Sequence, residues 1–262
     1  MDPALRTAAT GMMAQQTRTE VIANNLANVN TTGFKRSKAH FEDLLYQTVQ
    51  GASAVGRNDA ATLPAVQIGR GVRLASVQRM HQQGPVEETS RPLDIAIEGE
   101  GYFQLQLPSG EIGYTRDGTF QISDEGTITT QQGYTLVPGI TVPTDSSELT
   151  ISRTGVVTAK RAGDSEPVEL GRLELARFAN PAGLLAAGEN VYTQTPASGD
   201  PVLGFPEEEG MGRLMQGYLE GSNVEIVQEM VDMITSLRAY EINSKAIKNS
   251  EEMMQIANAL IR

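Results

Sequence analysis

Two histidines, His40 and His81, and the serine Ser53 are the side chains that could most readily take part in acid–base, metal or nucleophilic chemistry. A zinc site needs three or four ligands, and a catalytic serine needs a base and a sharp turn. The chain has no cysteine, no Cys or Asp cluster lies near either histidine, and the sequence GASAVG around Ser53 lacks the G-x-S-x-G spacing. We therefore predict surface or packing histidines, no bound metal and no cofactor.

Three carboxylates, Asp94, Glu98 and Glu100, lie close enough in sequence to imitate the paired acids of a glycosidase. Gly99 and Gly101 flank Glu100, but this pattern is not the GxGxxG fingerprint of a dinucleotide site. The strand-and-turn setting favours solvated edge residues. We expect a protein that is not an enzyme. The alternative, a secreted enzyme or adhesin, would need a concave site with convergent polar groups.

The composition limits the possible partners. The chain has 262 residues, enough for one large or two modest domains, and its lack of Trp predicts a mostly aliphatic core. A net charge of −11 argues against binding to nucleic acid or to an anionic membrane surface. No apolar run approaches the ~20 residues that cross a bilayer, so we expect no membrane insertion. The first residues do not resemble a cleavable signal peptide, which predicts a cytosolic protein or export by another route.

A helix is predicted over residues 3–29, where apolar or small side chains recur every three or four positions. Asp2 followed by Pro3 is typical of an N-cap with proline at the first helical position. The segment NVNTTG, which ends in Gly33, predicts the end of the helix. The seam of this helix consists of Leu5, Ala8, Met12, Gln15, Thr19, Ile22, Leu26 and Val29.

A second, longer helix is predicted over residues 223–262, which contain neither Gly nor Pro. Ser222 and Glu225 have the S-x-x-E spacing of a capping box just before an apolar run. Ser244 and Glu251 interrupt an otherwise apolar stripe along this helix. The stripe consists of Ile226, Met230, Met233, Leu237, Tyr240, Ile247 and Met254.

Short alternating runs separated by turn residues predict an antiparallel β-rich region between the two helices. Strands are predicted at residues 94–97 and 102–107, and Asp117-Gly118 is a strong signal for a hairpin between Tyr114 and Phe120. Frequent turns favour antiparallel strands over βαβ units. The predicted fold class is α+β, with N- and C-terminal helices pairing as a coiled coil and a central antiparallel β-rich domain.

Two stretches without sustained periodicity, residues 47–64 and 196–212, are predicted to be linkers or ordered loops. We expect three regions: an inner core of residues 1–33 and 222–262, a connecting region of residues 34–71 and 196–221, and a β-rich outer domain of residues 72–195.

Helices at opposite ends of the chain can pair antiparallel and bury both seams. However, small or polar residues such as Gln15, Thr19 and Glu251 lie on or beside these seams, and small side chains bury little area at about 25 cal/mol per Å². We therefore expect neighbouring copies to cover the surplus surface, and the helices to become fully ordered only on assembly. The predicted interface residues are Leu5, Met12, Ile22, Leu26 and Val29, together with the stripe of the second helix.

Segments in the same order along the chain resemble motifs of the bacterial flagellar rod and hook protein family. They are ANNLANVNTTGFKRS (23–37), LDIAIEGEGYF (93–103), YTRDGTF (114–120), GENVYT (188–193) and GYLEGSNVEIVQEMVDMITSLRAYEINSK (217–245). The first resembles the N-terminal signature of the family and the last its C-terminal signature. The N-terminal signature residues are Asn24, Asn25, Asn28, Thr32, Gly33 and Phe34.

The resemblance implies a structural subunit that polymerises helically. The terminal helices would form an inner tube with the β domain outside, and the stacked copies would form a hollow shaft that transmits motor torque to the hook across the periplasm. The implied partners are further copies of the chain, other rod proteins and the hook protein at the two ends, the surrounding basal-body rings and the flagellar type III export apparatus. Export by that apparatus requires no cleavable signal peptide.

Within this family, the chain length and the long segment at residues 47–64 are similar to subunits of the distal rod. A proximal rod or hook-type subunit is the alternative. We expect the segment to bridge neighbouring subunits and to stiffen the shaft, with Gly51, Ser53, Gly56 and Asn58 as its contact residues.

Overall fold

The computed structural model of the chain describes residues 3–50, 53–54, 62–63, 65–143, 145–161, 166–208 and 210–260. Its helices and strands, in chain order, are α1 (Pro3–Ala27), β1 (Ser37–Asp43), β2 (Tyr46–Gln50), β3 (Ser53–Ala54), β4 (Thr62–Leu63), β5 (Val66–Gly69), β6 (Val72–Arg79), β7 (Val86–Glu88), β8 (Ile95–Glu98), β9 (Tyr102–Gln106), β10 (Ile112–Thr115), β11 (Phe120–Ile122), β12 (Ile128–Thr130), β13 (Thr135–Leu136), β14 (Ser146–Ile151), β15 (Val156–Arg161), β16 (Val168–Arg172), β17 (Leu175–Arg177), β18 (Leu185–Gly188), β19 (Val191–Thr193), β20 (Val202–Gly204), β21 (Arg213–Gln216), β22 (Tyr218–Glu220) and α2 (Ile226–Leu260). A 3₁₀ turn covers Pro181–Gly183.

The chain folds as two compact units. The first combines residues 1–26, 37–78 and 225–262, and so contains α1, α2 and strands β1 to β6. The second combines residues 27–36 and 79–224, with strands β7 to β22. The predicted α+β class, with terminal helices and central antiparallel strands, is confirmed. The expected domain boundaries stay a proposal.

Both predicted helices are present, with shorter bounds than expected. Neither is long and apolar enough to cross a membrane within the described range.

α2 begins at Ile226, directly after Glu225. The Ser222 hydroxyl lies outside the helix and accepts a hydrogen bond from the Val224 amide (3.3 Å). The capping-box prediction is therefore wrong, because the N-cap position immediately precedes the first helical residue. Asp2, the predicted cap of α1, lies outside the described residues.

The segment at residues 47–64 forms a β ribbon in the part of it that the structure describes. β2 pairs antiparallel with β5, with Tyr46 opposite Gly69, and β3 pairs with β4 further along. Every residue of β2 is exposed, including Val49. A strand with no buried face carries no alternation of apolar and polar residues, so the sequence pattern predicted a loop here.

The second unit is built around a nine-stranded antiparallel sheet. Its strands follow the order β11-β12-β13-β9-β10-β19-β18, and β17 joins β9 to β20. β14, β15 and β16 form a smaller sheet, and β8 with β21 and β7 with β22 form pairs. The rings of Phe103 and Phe120 pack at right angles in the core, with centroids 5.1 Å apart. Other fully buried core residues are Ile95, Ile97, Leu105, Ile128, Leu136, Leu173, Leu175 and Leu214.

The predicted hairpin at Asp117-Gly118 is wrong. β10 pairs with β9 and β19, whereas β11 pairs with β12, so the two strands that flank this turn are not partners. The Asp117 carboxylate accepts a hydrogen bond from the Thr119 amide (3.0 Å), and the Gly118 carbonyl accepts one from the Ile95 amide (3.1 Å). A Cβ atom at position 118 would lie 1.8 Å from the Ile95 carbonyl oxygen. Gly118 is therefore required by close backbone contact.

We predict that Gly118→Ala lowers the free energy of unfolding by about 3 kcal/mol, the upper part of the usual range for overpacking, because backbone atoms must move apart. Thermal unfolding followed by circular dichroism measures the effect. Gly139→Ala is the matched control, since a Cβ there meets only the Thr135 methyl group at 4.0 Å. Equal stability of the two variants would contradict the prediction.

Candidate assembly interface

Asn25 holds the end of α1 within the first unit, where its side chain is almost fully buried. Its amide nitrogen donates to the Ser37 carbonyl (2.8 Å) and to the Glu229 carboxylate (3.2 Å), and its oxygen accepts from the Ser37 amide (2.8 Å). The pair with Ser37 fixes the start of β1, and the bond to Glu229 ties α1 to the first turn of α2. Asn24, its neighbour in the signature, is exposed.

The signature continues into a turn in the second unit. The Asn28 side-chain oxygen lies 3.2 Å from the Thr31 hydroxyl, and the Thr32 hydroxyl donates to Asp117 (2.9 Å). Gly33 has a positive φ of 66°, and a Cβ there would lie 2.7 Å from the Asp117 amide nitrogen. The turn therefore needs glycine for its conformation and for close contact. Phe34, the next signature residue, is half-buried.

A buried charge cluster follows this turn in the second unit. The side chains of Lys35 and Glu220 are completely buried and form an ion pair. Lys35 also donates to the Gln82 carbonyl (2.7 Å), while Glu220 accepts from the Gly84 amide (3.0 Å) and pairs with Arg116 (3.3 Å). Burial lowers the pKa of Lys35, and the Glu220 carboxylate opposes this shift. Glu220 is therefore the carboxylate that pairs with both cations.

Sequence reasoning missed these three charged residues as a site. Each lies inside a separate motif: Lys35 in residues 23–37, Arg116 in residues 114–120 and Glu220 in residues 217–245. The signal that could have indicated the cluster was the presence of a charged residue in each of these three motifs. A buried charge must have a partner, so these residues could have been proposed to pair with each other.

Asn223 joins three chain segments of the same unit. Its oxygen accepts from the Arg36 amide (2.7 Å), and its nitrogen donates to the carbonyls of Met80 (2.8 Å) and Gln82 (3.0 Å). This asparagine therefore aligns the segment before α2 with the segments that follow α1 and β6.

His81 packs against aromatic rings, and His40 is exposed, as expected for packing and surface histidines. The His81 Nδ1 atom lies 2.8 Å from the Tyr102 hydroxyl. Burial, followed by the charges of Lys35, Arg79 and Arg116, lowers the pKa of His81 to about 4. His81 is therefore neutral near pH 7, and it shares one hydrogen bond with the Tyr102 hydroxyl, in which either group can be the donor. Within the described ranges, no group of three or more His, Cys, Asp or Glu residues could hold a metal ion.

The three candidate carboxylates have different surroundings. Asp94 is buried, which corrects the expectation of a solvated edge residue. Glu98 pairs with Arg213 (2.6 Å), and hydrogen bonding from that guanidinium lowers the pKa of Glu98. Glu100 lies 3.7 Å from Arg177. Glu98 and Glu100 therefore pair with different arginines. The third carboxylate, Asp94, is buried.

α1 and α2 pair antiparallel through polar contacts within the first unit. The Ser236 hydroxyl lies 3.0 Å from the Gln15 carbonyl oxygen, the Gln15 side-chain oxygen and the Thr19 hydroxyl. Arg18 pairs with Asp232 at 3.0 Å. The predicted pairing of the terminal helices is confirmed.

The face of α2 that contacts α1 is polar, and much of its apolar stripe is exposed. Glu229 and Ser236 are buried, whereas Met230 is 51% and Leu237 is 48% exposed. Val227, beside the stripe, is 72% exposed. Pairing with α1 therefore leaves much of the α2 seam uncovered, as the expected surplus surface requires. The other exposed stripe residues are Ile226, Tyr240 and Met254, while Met233 and Ile247 are half-buried.

The α1 seam points inward. Ala8 and Ile22 are buried, and Leu5, Met12, Leu26 and Val29 are half-buried. Of the expected loop contacts, Ser53 lies in β3, and Gly51, Gly56 and Asn58 lie outside the described residues. Whether any of these residues contacts another subunit stays a proposal.

Three stretches of the chain match described protein families. Residues 5–35 match the family "Flagella basal body rod protein", residues 96–159 match "Flagellar hook protein FlgE/F/G D1 domain", and residues 215–260 match "Flagellar basal body rod FlgEFG protein C-terminal". A pair of terminal helices and a set of antiparallel strands, together with these matches, define a structural protein of the flagellar rod and hook class.

Relatives that match over nearly the whole chain identify the family within this class. The chain is 48% identical to the "Flagellar basal-body rod protein FlgG" of Caulobacter vibrioides, over 98% of both chains. It is 49% identical to the protein of the same name from Borreliella burgdorferi, over 99% of this chain and 98% of the relative, and 37% identical to that of Bacillus subtilis, over 94% of both. The chain belongs to the FlgG family of flagellar basal-body rod proteins, and is a structural component of the flagellar basal body.

We predict that Lys35→Met lowers the free energy of unfolding by about 3–5 kcal/mol, because it leaves the buried Glu220 carboxylate short of a counter-ion. Chemical denaturation measures the loss. Lys38→Met, at an exposed position of β1, is the matched control and should change stability little. The double variant Lys35→Met/Glu220→Gln should be less stable still, because it also leaves the buried Arg116 guanidinium without a carboxylate partner. A Lys35→Met variant as stable as Lys38→Met would rule out a structural role for the buried pair.

Proposed function

We propose that copies of this chain polymerise helically into the distal segment of the flagellar rod, a hollow shaft that transmits motor torque to the hook across the periplasm. Its contact surface is the apolar stripe of α2 together with the interface residues predicted near the N-terminus, Leu5, Met12, Ile22, Leu26 and Val29. The subunit needs no cofactor and has no catalytic activity.

The observation that carries this proposal is the exposed apolar face of α2. Val227, Met230, Ile234 and Leu237 all lie in the first half of the helix and are about half exposed or more. Burying the exposed part of such a side chain contributes roughly 1 kcal/mol. A head-to-tail contact that does not close into a ring repeats this gain along a helical filament.

The proposed partners follow from the position of the shaft. Other rod proteins and the hook protein contact its two ends, the basal-body rings surround it, and the flagellar type III apparatus exports its subunits without a cleavable signal peptide. The family resemblance supports these partners. The segment at residues 47–64 is the feature that distinguishes a distal rod subunit from the alternative, a proximal rod or hook-type subunit. We propose that this segment bridges neighbouring copies.

We predict that Val227→Glu prevents polymerisation while leaving the monomer folded, because the new carboxylate would be buried between copies. Negative-stain electron microscopy and sedimentation of the purified full-length protein measure the extent of polymer. Gln228→Glu adds the same charge at the neighbouring exposed position and should polymerise far better. The proposal fails if the wild-type protein forms no straight rods, or if both variants polymerise equally.

We predict that replacing residues 47–68 by Asn-Gly lowers the bending stiffness of the polymer. Tyr46 and Gly69 are cross-strand neighbours, so a two-residue turn can connect them without disturbing the strands beyond. The exposed apolar side chains Val49, Val66 and Ile68 would be lost as contacts between copies. Stiffness is measured from the curvature of polymers in electron micrographs. Polymers of unchanged stiffness and length would show that the ribbon does not bridge subunits.

A further inference from the structure

Methionine supplies all the sulfur of this chain, and much of it lies in α2. The sequence has ten methionines and no cysteine, and α2 carries four of the methionines. Met230, Met253 and Met254 are exposed, and Met233 is half-buried. Leucine has a similar volume and would form an apolar stripe equally well, but it lacks the polarisable thioether. The use of methionine therefore adds a reactive atom to this surface.

The methionines of the second unit are less accessible to solvent. Met211 is buried in the core, and Met80 and Met215 are half-buried. Oxidants in solution convert methionine thioethers to sulfoxides, and an exposed sulfur atom is reached first. The α2 methionines are therefore more open to oxidation than those of the second unit.

Access to the α2 methionines does not require an ordered helix pair. Where α2 is helical, as in the structure, Met230, Met253 and Met254 contact solvent. Where the chain ends become ordered only on assembly, as we expect from their small and polar seams, every thioether of this segment is accessible before assembly. In the proposed polymer, a neighbouring copy covers the stripe. The free subunit and the polymer therefore differ in access to the same sulfur atoms.

We propose that the four methionines of α2 form a reversible oxidation site, at which a peroxide modifies the free subunit and excludes it from the polymer. They are Met230, Met233, Met253 and Met254. In this reaction the O–O bond of the peroxide breaks, one oxygen atom bonds to the methionine sulfur, and the remainder leaves as water or an alcohol. The sulfur loses two electrons, which the peroxide gains. A methionine sulfoxide reductase restores the thioether.

A sulfoxide on the stripe opposes assembly because its oxygen must leave water when a second copy covers it. One polar group that is buried without a hydrogen-bond partner weakens a contact by about tenfold or more. The contact between copies repeats at every subunit of a helical polymer, so a modified copy opposes its own addition and that of the next copy. This inference rests on the proposed function, and it adds a chemical control of which subunits can assemble.

The site is tested by treating the full chain with hydrogen peroxide at a protein concentration too low for polymer. Because the chain has neither Cys nor Trp, methionine is the main target of this oxidant. Peptide mass spectrometry locates each added oxygen atom, and we expect Met230, Met253 and Met254 to be oxidised before the buried Met211. In preformed polymer, the α2 methionines should be oxidised more slowly than in the free subunit.

The effect on assembly is measured after the peroxide has been removed. The protein concentration needed for polymerisation, determined by sedimentation, should rise about tenfold or more. Treatment with the two methionine sulfoxide reductases that act on the two sulfoxide epimers should return this concentration to the value of the untreated protein.

Two leucine variants separate this site from the other methionines. Replacing all four α2 methionines by leucine keeps the apolar volume, so this variant should polymerise like the wild-type protein and lose most of its sensitivity to peroxide. Met80→Leu/Met215→Leu, at half-buried positions of the second unit, is the matched control and should stay as sensitive as the wild-type protein. Met12 and Met13 of α1 are retained in both variants.

The inference is overturned if wild-type protein with oxidised α2 methionines polymerises at the same concentration as untreated protein. It is also overturned if the two leucine variants are equally sensitive to peroxide, or if the reductases remove the added oxygen atoms without restoring polymerisation. The proposed function is judged separately. Untreated protein that forms no polymer would contradict that function and this inference with it, whereas polymer from treated and untreated protein alike counts against the oxidation site alone.

Discussion

The buried ion pair between Lys35 and Glu220 is the contact on which the second unit depends. It joins a residue near the start of the chain to one near its end, and both side chains are fully buried. Removing Glu220 would leave two buried cations without a carboxylate, and removing Lys35 would leave Glu220 with Arg116 as its one counter-ion, so the segments that carry these charges must meet. The turn at Gly33 and the hydrogen bonds of Asn223 hold the same segments in register. A contact of this kind contributes little net stability but excludes other arrangements.

In the first unit, the packing of α2 departs from the hydrophobic pattern of the helix. A helix that folded only for its own stability would bury Leu237 and expose Ser236, and α2 does the reverse. Natural sequences are expected to break such a local rule where function requires it. In a family of basal-body rod proteins, an apolar surface kept out of the monomer core has an evident use. The proposed polymerisation would recover between chains the apolar burial that α2 lacks within one chain.

Much of this fold could be predicted from local patterns, and the errors have a common cause. Periodicity located both helices, and alternation located strands such as Tyr102–Gln106. The turn residues Asp117 and Gly118 are compatible with a hairpin and also with a connection between strands that are not neighbours. The pairing of β10 with β9 and of β11 with β12 shows that the second case applies. The ribbon at β2 and β5 was missed because its strands have no buried face.

The chain's own pattern was enough to establish two terminal helices, an antiparallel β-rich centre, the lack of cysteine chemistry and the motifs of the rod family, because these depend on neighbouring residues. The inward face of α2, the partner of Lys35 and the burial of Asp94 depend on residues far apart in sequence. At those contacts, hydrogen bonds and the cost of removing charges from water outweigh the hydrophobic pattern of a single helix. The contact between Gln15 and Ser236 could therefore be identified only from the tertiary structure, which brings the two ends of the chain together.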